Sequence, residues 1–363
     1  SVLSLLGRWE ERTRALARHA DMSERQADEM LREAARQYEA GQFETAMRTC
    51  HEALTLAPCS PRGLIGMARA TSIPSAREAA PATFEPFTCL FRLVVSRDQL
   101  DPDTYEELVA VLDELRPDTD RDRLLHEFVT CAAAIIRTGQ QTAGLSRPNA
   151  MQRLDALDTS GDPMVEDWPQ RHLLSYYRGV GYERESDPDS AIAAYRKVLM
   201  IVENHLPSLE RLCELCRTEA DAARFRARRD ALLPEHAARV TFAGRIRLLG
   251  YSTEPASGGE PTATIRYHWL TLAPPPAGYR ARTYFFEPVH WETRAVDSQR
   301  VVSPVWRCGE VVVEKRRLPP EDLRTETPYM ALFFHTAHPP EGWRRRLPRG
   351  GGLGLARLRL VVE

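Results

Sequence analysis

The chain has 363 residues, of which 43% are hydrophobic, 28% charged and 8% aromatic, an ordinary globular composition for two or three domains. Such a length buries a sizeable core without disulfides or structural metal, and a formal net charge of −2 excludes a whole-protein polycation built to hold nucleic acid. The longest apolar runs, such as Cys131 to Ile136, fall far short of the ~18–20 residues that span a bilayer, so no membrane span is expected.

The chain opens on Ser1 without a Met, which leads us to expect a preceding segment; an upstream anchor or a cleaved signal stays open. Residues 1–26 read as an N-terminal helical segment, with Val2, Leu5, Leu6 and Trp9 along one side of a polar helix over Ser1 to Arg18. It lacks the continuous apolar core of a signal peptide. From residue 27 to 234 apolar residues recur at three and four, which is helical periodicity.

The first helical pair, residues 27–58, carries small Ala34 and Ala35, then Tyr38, Gly41, Phe43, Ala46, Ala53-Leu54 and Pro58. A second pair, residues 171–204, supplies Gly179, Tyr182, Ala191, Tyr195 and Leu199, and its second helix opens on Asp187-Pro188-Asp189. Small residues let two antiparallel helices approach, aromatics fill between them, and Pro ends the second. This pattern resembles the tetratricopeptide repeat, although Glu203 stands where the second repeat's closing Pro is expected. The resemblance implies a curved helical solenoid whose concave face holds a peptide or another protein.

Between the two pairs, residues 61–160 are helical but match the repeat poorly. Asp101-Pro102-Asp103 starts one helix through Leu115, Asp120 starts another through Thr138, and Ser72 to Phe87, with Pro74, Pro81 and Pro86, reads as a loop. Pro207 to Pro234 reads as a third, degenerate repeat. The seven cysteines, Cys50, Cys59, Cys89, Cys131, Cys213, Cys216 and Cys308, are odd in number and scattered, so buried reduced thiols are expected. Cys213-x-x-Cys216 is the only close pair, and no second pair stands near it to complete a zinc site.

Beyond Pro234 the pattern changes to β-branched and aromatic runs broken by Pro and Gly. Strands are expected over Arg245–Leu249, Ala263–Leu272, Arg282–Glu287, Glu310–Arg316, Tyr329–His335 and Ala356–Val362. Charge changes with the period: residues 239–363 carry 18 Arg and Lys315 against 12 acids, a balance of +7, which leaves −9 on the rest. Helices followed by strands predict separate domains, a multidomain α plus β chain with a helical repeat domain over 27–234 and an antiparallel β-sandwich, jelly-roll or Ig-like, over 239–363. The order Leu249-Gly250-Tyr251, Tyr267-His268-Trp269 and Trp306-Arg307-Cys308-Gly309-Glu310 resembles β-sandwiches appended to bacterial envelope-polysaccharide and membrane glycosyltransferase proteins. Thr327-Pro328 departs from that pattern, where a Gly before the Tyr is expected.

Trp269 and Trp306 read as core anchors of this region. His290, Trp291, Arg294, Trp343 and Arg344 fall in or beside polar loops, where a rigid sandwich carries its binding residues, and are the candidates for holding a glycan or other ligand. No Gly-x-Ser-x-Gly elbow, His-Glu-x-x-His or phosphate loop is present. The one enzyme alternative is an iron and 2-oxoglutarate oxygenase, with His290, Glu292 and His335 as its metal ligands. The reading adopted is a non-enzymatic scaffold with no cofactor and no metal. It binds a partner protein in the helical groove and a glycan or second protein on the sandwich, in bacterial envelope-polysaccharide assembly or surface display. A periplasmic or envelope location is favoured over the cytoplasm, nucleic acid is not a partner, and self-association as a structural protein is the other alternative.

Overall fold

The computed structural model describes residues 25–57, 60–73, 85–138, 145–242, 245–254, 263–274, 280–286, 293–297, 306–318, 330–336 and 352–356. The described residues fall into two compact units that divide between Ile201 and Val202, one before that point and one after it. No helix among the described residues is long and apolar enough to cross a membrane.

The described elements of the first unit are helices: α1 (residues 25–39), α2 (Phe43–Leu56), α3 (Pro61–Ala70), α4 (Pro86–Val95), α5 (Pro102–Glu114), α6 (Asp120–Ile136), α7 (Arg147–Thr159), α8 (Pro163–Glu166), α9 (His172–Arg184) and α10 (Pro188–Ile201). Local chemistry sets most of the starts. Ser60, Asp101, Ser146 and Asp162 each accept a bond from a backbone N–H of the first turn, and each is followed within two residues by Pro. Thr119 and Asp122 close a reciprocal capping box at the head of α6. Asp187 caps α10 through the Ser190 N–H at 3.1 Å. Pro86 opens α4, so the stretch from Ser72 expected as a loop yields to helix at its last two residues.

Consecutive helices joined by short turns must run antiparallel where they pack. Gly41, at φ 75°, makes the α1–α2 turn, and both helices close on α3 through a core of Leu31, Ala34, Met47, Cys50, Ala53 and Met67. The α6 helix is the buried centre, with every residue from Cys131 to Ile136 out of solvent. Its Phe128 ring meets Phe91 of α4, Trp168 and Tyr177 of α9 at centroid separations of 5.5, 5.2 and 5.4 Å. Burying a side chain of that size contributes about 1.5–3 kcal/mol. The Tyr177 hydroxyl donates to the Val94 carbonyl at 3.2 Å, so the polar end of this cluster is also satisfied. Residues 61–159, which match the repeat poorly in sequence, thus supply five of the packed helices.

The second unit begins with α11 (Leu206–Leu215) and α12 (Glu219–Leu232), which pack on each other. Eight strands follow among the described residues: β1 (His236–Phe242), β2 (Ile246–Glu254), β3 (Ala263–Thr271), β4 (Arg280–Phe286), β5 (Thr293–Asp297), β6 (Val311–Leu318), β7 (Met330–Thr336) and β8 (Gly352–Ala356). They form two antiparallel four-stranded sheets, ordered β1-β2-β3-β6 and β5-β4-β7-β8. In the first sheet Leu248 lies opposite Trp269 and Tyr251 opposite Tyr267, all four buried. The register shifts beside Gly250, whose φ of 151° and closeness to the His236 carbonyl leave no room for a Cβ. β1 and β5 are strands the sequence did not announce, and β8 ends at Ala356, where the strand expected over Ala356–Val362 begins.

Candidate functional site

The helical unit carries a cleft of about 440 Å³ between α1, α2, α3 and α5. Two helices line it at matching spacing. From α1 come Leu31, Ala34, Ala35 and Tyr38; from α3 come Arg62, Ile65, Gly66 and Arg69. Both sets follow i, i+3, i+4, i+7, the separation that keeps side chains on one helix face. Ala46 and Cys50 of α2 complete an apolar floor. Gly66 lets α3 close on α2 beneath the cleft: a Cβ there would stand 3.0 Å from the Cys50 sulfur.

Charged groups ring this floor. Arg32, Arg62 and Arg69 face two acids, Glu39 and Glu107. None of the three arginines forms an ion pair among the described residues, and the Arg69 Nε is buried without a hydrogen-bond acceptor. The Tyr38 hydroxyl is raised above its ordinary range, chiefly by burial and then by Glu114, with Arg69 opposing. Its ring packs edge-on to Phe43 at 5.1 Å. Tyr38 and the small residues belong to the expected repeat pattern and the arginines do not; the signal for them is Arg62 and Arg69 seven residues apart on an otherwise apolar helix.

A second charged cluster lies among α7, α9 and α10. Asp158 is buried and accepts from Arg171 Nε at 3.3 Å, Ser175 Oγ at 3.2 Å and Lys197 Nζ. Burial pushes its carboxyl up, but the Lys197, Arg171 and Ser175 bonds prevail and hold it below the ordinary range. With both carboxylate oxygens occupied, this cluster clamps three helices and offers no open position to a ligand. The thiols of Cys50, Cys89, Cys131 and Cys308 are buried, those of Cys213 and Cys216 are half-buried, and none of the six is in a disulfide. Burial pushes Cys50 up to about 11 and Cys131 to about 12, so neither is a thiolate at neutral pH.

In the second unit two buried histidines join helix to sheet. His205 shares Nδ1 with the Ser208 hydroxyl at 2.9 Å, and its ring lies so close to Gly309 that a Cβ there would stand 2.1 Å from Nε2. The Leu206 N–H donates to the Gly309 carbonyl at 2.9 Å. The Trp306-to-Glu310 turn is thereby fastened to the segment that starts α11. His268 of β3 bonds the Leu232 carbonyl at the end of α12 at 2.8 Å and the Ser252 hydroxyl at 3.1 Å. Trp269 and Trp306 are both buried, and the Trp269 indole N–H donates to Glu314 at 3.2 Å.

Of the residues expected to bind a ligand, His290, Trp291, Glu292, Trp343 and Arg344 lie outside the described residues. Arg294 and His335 fall on β5 and β7, their side chains outside the description. Among the described residues no group of three or more His, Cys, Asp or Glu is placed to hold a metal ion. Of the repeat positions, Pro58 lies outside the described residues, Ala46, Ala191 and Tyr195 are buried, and Tyr182 is half-buried.

No family model matches this chain, and no curated protein matches it. Among solved structures, pilF of Pseudomonas aeruginosa is similar at 15% identity and a TM-score of 0.26, over 58% of this chain and 77% of that one. The alkylpurine DNA glycosylase AlkC of Pseudomonas fluorescens, bound to DNA with an abasic-site analogue, is similar at 12% identity and a TM-score of 0.22, over 87% of this chain and 95% of that one. At these scores neither likeness defines the fold or the function.

Proposed function

We propose that the chain is a protein-interaction scaffold whose tetratricopeptide-like helical unit takes a segment of a partner protein into the cleft between α1 and α3. The single observation that supports this is the cleft itself: an apolar floor between two helices, rimmed by cations without partners among the described residues. Free apolar surface with convergent polar groups favours a ligand over an empty groove. A photoreactive amino acid placed at Ala35, which is exposed and lines the cleft, tests it in cells of the source organism. A discrete cross-linked protein from Ala35, absent from a probe at the exposed Met200, is the expected outcome. Identical products from both sites, or none from Ala35, would sink the reading.

The proposal extends to the second unit. Its two sheets are read as the layers of a β-sandwich that holds a glycan or second protein through His290, Trp291, Arg294, Trp343 and Arg344, in envelope-polysaccharide assembly on the periplasmic side. Support for this part is the sequence resemblance and the equal size of the two sheets. Retention on a bacterial-glycan array, lost when Trp291 and Trp343 are both changed to Ala, is expected; an array without signal counts against it.

A further inference from the structure

We infer that Cys213 and Cys216 form a thiol–disulfide exchange site, a dithiol at the corner between α11 and α12 that reduces a disulfide substrate and closes a reversible bond across the last turn of α11. The inference is independent of the cleft. Among the six described cysteines these two are half-buried, whereas Cys50, Cys89, Cys131 and Cys308 are buried. An oxidant in solution therefore meets this pair first. Spacing is the second observation. Residues three apart in a helix share one face with Cβ atoms about 5–6 Å apart, and a disulfide needs about 3.5–4.5 Å, so a movement of about 1–2 Å closes the pair. Cys216 is placed to make it. It is the C-cap of α11, its N–H bonded to the Leu212 carbonyl at 3.1 Å, while its ψ of 126° takes the chain out of the helix toward Arg217 and Thr218.

The neighbours of Cys213 favour exchange. Burial raises its thiol, and Arg229 and Arg226 of α12 pull it back toward the thiolate against Asp230. Cys216 raises it further, the mark of two sulfurs that feel one another. The C-terminal end of α11 also disfavours an anion, and the two guanidiniums offset that field. A bond drawn across one helical turn is strained and open to solvent, which are the properties of a labile disulfide. In the step itself, one cysteine thiolate attacks a sulfur of R–S–S–R, forms a mixed disulfide and expels RS⁻. The second thiolate attacks the cysteine sulfur of that mixed disulfide, and the second RS⁻ leaves. The two thiol protons end on two RSH; the cysteines lose two electrons and the substrate disulfide gains them.

The sequence supplies a direct readout. Arg211 and Arg217 bracket the pair, so trypsin releases Leu212 to Arg217 as one hexapeptide that carries both thiols. The native full chain is incubated with glutathione disulfide, remaining thiols are alkylated, and the digest is read by mass spectrometry. The hexapeptide is expected to appear two hydrogens lighter and without alkyl groups, and to return to the alkylated form after dithiothreitol. It is expected to oxidise at least about ten-fold faster than the peptides carrying Cys89, Cys131 and Cys308, whose thiols are exposed only by local opening of the core. Cys213→Ser and Cys216→Ser are each expected to stop at a glutathione adduct on the remaining thiol. A hexapeptide that stays fully alkylated overturns the inference, as does one with glutathione on both cysteines, since the ring then does not close. Oxidation no faster than at the buried thiols overturns it too, because the protein then reacts only by unfolding. So does a thiophilic metal ion that purifies with the wild type in one-to-one ratio, is lost in Cys213→Ser and blocks oxidation, since the pair is then a metal site.

Discussion

Gly179 shows how much a single hydrogen atom decides where two helices pack. A Cβ on Gly179 would stand 2.6–2.9 Å from three atoms of the Tyr195 ring. Tyr195 is fully buried, and its hydroxyl is held by Glu183, so the ring has nowhere to turn. Two effects of opposite sign meet in Gly179→Ala. Alanine is favoured in a helix by up to about 1 kcal/mol, whereas an extra methyl in a packed core costs typically about 1–3 kcal/mol. The second is the larger, and Gly179→Ala is expected to lower stability by about 1–2 kcal/mol. Urea denaturation measures it, and a Tyr195→Leu background that makes room should shrink the loss. A variant as stable as the wild type would show that α9 and α10 are not in this contact. Gly179 and Tyr195 were readable as repeat positions in the sequence, because small and aromatic residues recur at fixed places. Arg69 was not, since nothing in a sequence tells a solvated arginine from one whose Nε is sealed away.

At the scale of elements, what the sequence announces is where helices start. Asp101-Pro102 and Asp187-Pro188 fix a cap and a first-turn φ within two residues, and both helices begin there. Pairing between helices is less legible. Residues 61–159 carry buried positions almost all round α6, from Leu124 to Ile136, and such a helix shows little contrast between faces. Its neighbours are then chosen by shape, through rings such as Phe91, Phe128 and Trp168, which no fixed spacing encodes. The strands show the same limit: β3 and β6 lie within a residue or two of their alternating patterns, while five-residue β5 is too short to display one. The cleft inherits this division. Its walls are helices with a readable period, but that α1 and α3 stand opposite each other across α2 is a property of packing.

The whole chain divides by two different criteria. Backbone period changes at Pro234, and the compact units divide between Ile201 and Val202, because period reports local conformation and compactness reports which elements touch. His205 and His268 carry the attachment of α11 and α12 to the first sheet, and the second of these makes the attachment sensitive to acid. His268 is buried, and that burial lowers its pKa below the ordinary 6.5, with Arg266 adding to the effect. The Leu232 carbonyl bond and Glu235 oppose without prevailing. The native ring is therefore neutral, with Nδ1–H donating to Leu232 and Nε2 accepting from Ser252. Below pH about 6.5 an unfolded chain takes up this proton before the native one does, so stability falls as pH drops through 6.5 toward the native value. Protonation at Nε2 would also set two donors against the Ser252 hydroxyl, which already accepts from the Glu235 N–H at 3.1 Å. Carboxylates such as Asp158, lowered in the native state, lose their contribution only at lower pH, so the windows separate. The urea midpoint is accordingly expected to fall between pH 7.5 and pH 5.5 in the wild type and to fall less in His268→Gln, whose amide bonds both partners without titrating. Equal slopes in the two proteins would remove His268 from the acid response and place the charge elsewhere in the unit.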